Sequence, residues 1–348
     1  MFKRYRSCLF LLGLLSALAG CDRTPALVQQ ESFVFGTRVE ILVAGVPEAQ
    51  ARAAAAGVLQ EFDRLHRTYH AWQPSELSAV NEALAAGRSI RVGPEMRAFI
   101  REAQALARLG GYRFDPGIGH LVKLWGFHSD EFKPRLPDPA ALAAWRSKPA
   151  SIAQLRIEGD RLSSSNPLVA LDFGGYLKGV ALDLAAARLR QQGIHDALIN
   201  IGGNVMALGN KYGKPWKVGI QHPRQPGPLA TLELRDGEAI GTSGDYQRYF
   251  ELDGRRYSHL LDPASGAPAE HTQAVTVLLP PGPKAGTLSD ALSKPIFIAG
   301  PGHWQEAARQ VGVNQVLRVD TDGRIQVSRA LRARLTFLGK PPALEEVP

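Results

Sequence analysis

Helical spacing of apolar residues fills most of this chain up to Gly193, and strand-like runs take over after it, a change that restricts the fold to an α+β class. Before that glycine, Pro47 opens an Ala-rich helix whose Val58, Phe62 and Leu65 share one face, and a shorter helix carries Leu77, Val80 and Leu84. A third runs from Pro94 through Met96, Phe99, Ile100, Ala103 and Leu106 to Gly110-Gly111. After it, strands are predicted at 197–201, 216–221, 229–234, 239–242 and 274–279, and Asp253-Gly254 marks a two-residue hairpin turn. A helix is predicted around 288–299, and the tail reads as one more helix with two strands turning at Asp322-Gly323. Short connections between successive strands make the sheets mixed but largely antiparallel, packed with helices. Residues 33–43 read as one strand, 155–170 as a hairpin turning at Gly159-Asp160, and 167–171 as a buried strand leading into the next helix.

The N-terminus reads as a targeting segment. Lys3, Arg4 and Arg6 precede an apolar stretch from Leu9, which ends in the lipobox Leu18-Ala19-Gly20-Cys21. A membrane span needs about 20 apolar residues, and this stretch is far shorter. Residues 1–20 are therefore expected to leave as a lipoprotein signal, with Cys21 the lipidation site and 21–32 a polar tether. Asp22 resembles a signal for retention in the inner membrane, which predicts an inner-membrane lipoprotein facing the periplasm. Cys8 would leave with the signal, so neither a disulfide nor a free thiol is expected in the mature chain. The net charge of +8 falls to +5 without Lys3, Arg4 and Arg6, and no basic run suggests a nucleic-acid partner.

The segment Asp172-Phe173-Gly174-Gly175-Tyr176-Leu177-Lys178-Gly179 lies where the expected strand ends and a helix marked by Leu177, Ala181, Leu184, Ala185 and Leu189 begins. Free N–H groups and the positive end of a helix dipole favour a phosphate there, the glycines allow close approach, and a lysine can neutralise an oxygen. A Gly-Gly turn beside a solvated lysine, with Asp172 as the helix N-cap, accounts for the same residues more simply. Gly202-Gly203 lacks the spacing of a dinucleotide fingerprint and no helix follows it, which argues against a Rossmann dehydrogenase.

Asp172 to Gly179 resembles the Asp-Leu-Gly-Gly-Ile-Ala-Lys-Gly signature of the ApbE family, the FAD:protein FMN transferases. Phe35-Gly36-Thr37, Tyr69 with Pro74-Ser75-Glu76-Leu77-Ser78 and Asn81, and Phe114-Asp115-Pro116 with Leu124-Trp125-Gly126-Phe127 are similar to further blocks of that family in the same order. So are Asn200-Ile201-Gly202-Gly203-Asn204, Thr242-Ser243-Gly244-Asp245-Tyr246 and His259-Leu260-Leu261-Asp262-Pro263. The resemblance implies an ApbE-like, T-fold-related α+β domain over residues 33–340. It also implies that FAD is cut at its pyrophosphate, FMN is joined by a phosphodiester to a Thr or Ser of an acceptor redox protein, and AMP leaves. His259, Lys178 and Asp172 would be catalytic, and Phe35, Tyr69, Arg113, Phe114 and Asp115 would join them in contacting FAD. A histidine ordinarily titrates near pH 6 to 7 and can take a hydroxyl proton, so a limb in the rate profile is expected there.

In the family a Mg²⁺ site is completed by the equivalents of the Gly175 carbonyl, Asp290 and a threonine four residues after that aspartate. This chain has Asp290-Ala291-Leu292-Ser293-Lys294-Pro295 instead. An ammonium is no metal ligand, and Pro295 disfavours a helix through Lys294. Either the helix persists and Lys294 pairs with Asp290, or a kink turns Lys294 to solvent while Asp290 holds the metal. An FAD-binding accessory lipoprotein with weak or no transferase activity is the second reading of the same residues.

Overall fold

The connections between strands largely decide the main sheet. In the computed structural model, which describes residues 26–129, 131–339 and 343–348, nine strands form one sheet. They are β1 Val28–Val34, β2 Thr37–Ala44, β3 Asp196–Ile201, β4 Asn204–Leu208, β5 Ala239–Gly244, β6 Thr272–Leu279, β7 Val316–Asp320, β8 Ile325–Ser328 and β9 Leu344–Val347. Their order across the sheet follows the chain, and all neighbours are antiparallel except β8 and β9. Tight turns make this possible. Phe35 and Gly36 take φ of 57° and 68° between β1 and β2, and Gly202 and Gly203 take 58° and 92° between β3 and β4. The left-handed pair at Phe35-Gly36 is why the run expected as one strand over 33–43 is two. It also brings 28–32 of the expected tether into β1.

Alternation puts opposite faces of the sheet into two cores. Val39, Ile41, Ile199, Ile201, Val275 and Val277 face one, where α1 (Glu48–Thr68), α2 (Glu76–Ala85), α3 (Pro94–Leu109), α4 (Leu177–Gln191) and α5 (Ala285–Ala299) pack. Leu198, Ala207, Ile240, Leu278 and Leu317 face the other, covered by a small sheet of Trp216–Gln221, Pro228–Leu234 and Leu335–Phe337. A third cluster lies under the hairpin Tyr249–Leu252/Arg255–Ser258, where the rings of Phe127, Phe250 and Tyr257 stack at centroid spacings of 5.7 and 5.1 Å.

Helix α5 is wedged against its neighbours by glycines. A Cβ on Gly179 of α4 would lie 2.4 Å from the Gly286 carbonyl oxygen, and one on Gly241 of β5 would lie 2.2 Å from that of Ser289. Asp183 of α4 accepts from the Gly286 and Thr287 N–H groups and the Thr287 hydroxyl, capping α5 from outside. Pro295 does not end this helix, which continues to Ala299.

The residues 167–171 are not a strand. They are a loop with one parallel bridge, Ile118 to Ala170, and Asn81 holds it by exchanging hydrogen bonds with both backbone groups of Leu171. The tail is also more elaborate than expected, with Leu335–Phe337 and β9 beyond the predicted pair. Cys21, the signal at 1–20 and the first part of the tether lie outside the described residues. Among those described, no helix is long and apolar enough to cross a membrane.

Candidate active site

The glycine loop leads into α4 with Tyr176 at the N-cap position and no side-chain cap. Asp172 is therefore not the cap; its Oδ1 accepts from the Gly174 N–H at 2.8 Å, an Asx turn inside the loop. The Tyr176 and Leu177 N–H groups both reach the Phe173 carbonyl, and the Gly179 N–H donates to Asp290 Oδ2 at 2.9 Å. Four amides expected to face a phosphate are thus already bonded. What remains for an anion here is chiefly side-chain charge.

That charge is concentrated. On α5, Lys294 Nζ donates to Asp290 Oδ1 at 2.8 Å and to the Asp290 carbonyl at 2.6 Å, so the helix persists and the two residues pair. The Lys294 chain crosses directly over the glycine loop, where a Cβ on Gly175 would lie 2.7 Å from its Cε. Burial would raise the Asp290 carboxyl, but Lys294, Lys178 and the Gly179 amide more than offset it and hold it below the usual range. Lys178 itself is pushed below the ordinary lysine range by burial, helped by the neighbouring charges of Lys294 and Arg248 and opposed by Asp290.

Arg248 was not expected from the sequence. It follows the Thr242 to Tyr246 block, in which Asp245 is taken by a bidentate pair with Arg224 at 2.7 and 2.6 Å. Its guanidinium donates to the Phe127 carbonyl and lies 5.3 Å from the Phe132 ring centre. Its own carbonyl holds His259 twice, accepting from the backbone N–H at 3.0 Å and meeting Nδ1 at 3.1 Å. A carbonyl only accepts, so Nδ1 carries the proton and Nε2 of the neutral ring has the free lone pair. Burial, then Arg248 and Lys178, lower the His259 pKa to about 3. Burial and the neighbouring cations thus favour the neutral imidazole in the unliganded protein.

The remaining expected residues divide. Phe114 packs against Tyr176, and its ring edge would be 3.7 Å from a Cβ on Gly175, which places it beside the loop. Phe35 stands at the left-handed turn against Phe62 and His66. Tyr69 is 4% exposed between Phe99 and Phe173, with its hydroxyl donating to Glu95 at 2.6 Å, which makes it a core residue rather than an open stacking surface. Asp115 is buried, and its Oδ1 accepts from Gly117 and Ile152 at 2.8 Å each. It ties two loops together. Arg113 is half-buried near Gly111, where a Cβ would lie 3.3 Å from its Nη1.

The ApbE family model matches residues 35–317. The chain belongs to the ApbE family. It is 42% identical over 308 residues to the FAD:protein FMN transferase of Rhodobacter capsulatus, covering 88% of this chain and 58% of that protein, which is considerably longer. It is 32% identical to the Klebsiella pneumoniae FAD:protein FMN transferase, covering 87% of this chain and 89% of that one. The ApbE protein of Thermotoga maritima superposes with a TM-score of 0.80 at 29% identity, over 89% of this chain and 99% of the other. The flavin transferase ApbE of Vibrio cholerae does so at 0.76 and 28%, over 90% and 99%. The α+β architecture is thus that of the ApbE family.

The residues here do not fit the Mg²⁺ that the resemblance implies. Asp290 Oδ1 is engaged by the Lys294 ammonium and Oδ2 by the Gly179 N–H, and an ammonium stands where the resemblance implies a threonine ligand.

Proposed function

We propose that this ApbE-family protein is a flavin transferase that takes FMN from FAD and joins it to a Thr or Ser hydroxyl of an acceptor redox protein. The observation that carries the reading is the pair Lys178 and Lys294 at the Asp290 carboxylate, close to His259, whose Nδ1 is held by the Arg248 carbonyl so that Nε2 keeps its lone pair. Lys178 binds the pyrophosphate and neutralises charge on its bridging oxygen. The acceptor hydroxyl oxygen attacks the FMN-side phosphorus, the bond from that phosphorus to the bridging oxygen breaks, and AMP departs with that oxygen. His259 Nε2 receives the hydroxyl proton. The names of the relatives support the same chemistry.

The test is purified protein with FAD and a Thr-bearing acceptor domain. AMP release matched by covalent, fluorescent FMN on the acceptor is expected, whereas neither product would overturn the reading. The cellular setting is part of the proposal, since Leu18 to Cys21 supports acylation at Cys21 and attachment to the outer face of the inner membrane. Cys21→Ala should then lose lipid label and leave the membrane fraction. Equal labelling would refute it.

A further inference from the structure

Charge around the glycine loop is the starting point. Lys178 and Lys294 both act on the Asp290 carboxylate, and Arg248 acts on Lys178 and on His259, so two ammonium groups already supply positive charge at this carboxylate.

Geometry leads to the same place. Lys294 Nζ has two oxygens of Asp290 at 2.6 and 2.8 Å, and its methylenes press on the backbone at Gly175. A metal on Asp290 Oδ1 would sit at about 2.0–2.1 Å from it, in contact with the ammonium. Asp290 Oδ2 accepts from the Gly179 N–H of α4, which fixes the carboxylate so that Oδ1 is the oxygen turned to the lysine. The lysine is itself held in place. Helix α5 is locked between α4 and β5 by Gly179 and Gly241, and Ser293 next to Lys294 bonds Ser243 at 2.8 Å.

We infer that the Lys294 ammonium, paired with Asp290, is a built-in cation that stands where a divalent metal would bind, so that this protein handles its phosphate-bearing ligand without Mg²⁺. The ammonium can donate to a phosphate oxygen but cannot bridge two of them at fixed geometry as a metal does. The inference rests on the flavin-transfer reading only for its kinetic arm.

Wild-type protein and Lys294→Thr would be titrated with Mn²⁺, following the loss of the free-ion EPR signal, and AMP release from FAD would be measured for both in EDTA and in Mg²⁺. Circular dichroism would confirm that the variant is folded. Wild type is expected to bind Mn²⁺ at least tenfold more weakly than the variant and to release AMP equally in EDTA and Mg²⁺. The variant should lose AMP release at least tenfold in EDTA and recover it with Mg²⁺. Stoichiometric Mn²⁺ binding by wild type at micromolar concentration, or wild-type release abolished by EDTA, would overturn the inference even if the variant proved unfolded. If wild type rejects Mn²⁺ but releases no AMP in any condition, the flavin-transfer reading fails while the lysine's role as the resident cation stands.

Discussion

A histidine surrounded by cations behaves differently from one met in a loop. The pKa of His259 is about 3 against an ordinary 6.5, so between those values the unfolded chain binds a proton that the folded chain refuses. Stability is therefore full above 6.5 and falls as the pH drops toward 3. His259→Gln should flatten that part of the melting-temperature profile, and an unchanged acid slope would contradict the assignment. An anion between Lys178 and Arg248 cancels part of the field that depresses the ring. Its pKa should then rise when ADP binds, seen as a shift of the imidazole titration by NMR. For Lys178, loss of a charged hydrogen bond to phosphate costs about 1.5–3 kcal/mol. Lys178→Met should weaken FAD about tenfold or more and riboflavin little, and equal losses in calorimetry would make the lysine structural. His259 and Lys178 were singled out because their neighbours in sequence carry recognisable motifs, and the fold brings them close enough for Lys178 to act on the imidazole. Arg248 was not, since nothing in its spacing indicates that its carbonyl fixes His259 and its charge acts on that ring. The bonds of Tyr69 to Glu95 and of Asp115 to two loop amides were hidden for a related reason, as they are properties of the folded neighbourhood.

At the scale of elements, periodicity identified the long helices within a few residues, because each buries one apolar stripe. What it could not supply is how α4 and α5 meet. Their backbones touch through Gly179 and Gly286, where a Cβ on Gly286 would lie 2.6 Å from the Gly179 carbonyl oxygen and 2.8 Å from Leu182 Cβ. Overpacking a well-filled contact costs about 1–3 kcal/mol. Gly286→Ala should lower the melting temperature and, by moving Asp290 and Lys294, lower FAD affinity as well, whereas a normal melting curve would show that the helices can separate freely. The loop before α4 was read as a strand because 167–171 is apolar. Its backbone groups turn instead to Asn81, ninety residues away in sequence, which a local pattern cannot reveal.

Across the whole molecule, α+β class and antiparallel pairing followed from turn residues and alternation, whereas the assembly of nine strands into one sheet depends on pairings between distant segments. The sheet runs in chain order, yet β2 ends at Ala44 and its partner β3 begins at Asp196, with four of the five large helices' worth of chain between them. That gap has a consequence in time. A chain made from its N-terminus produces the β1–β2 hairpin early, and a two-stranded hairpin is marginal in water. It must wait, with the pairing edge of β2 open, until β3 has been synthesised. The charged site waits longer still, since Asp290 and Lys294 arrive with α5 at residues 285–299. Pauses in synthesis or export between 44 and 196 should therefore be the period when this protein most needs a chaperone, and no binding competence can exist before the last of those helices has docked.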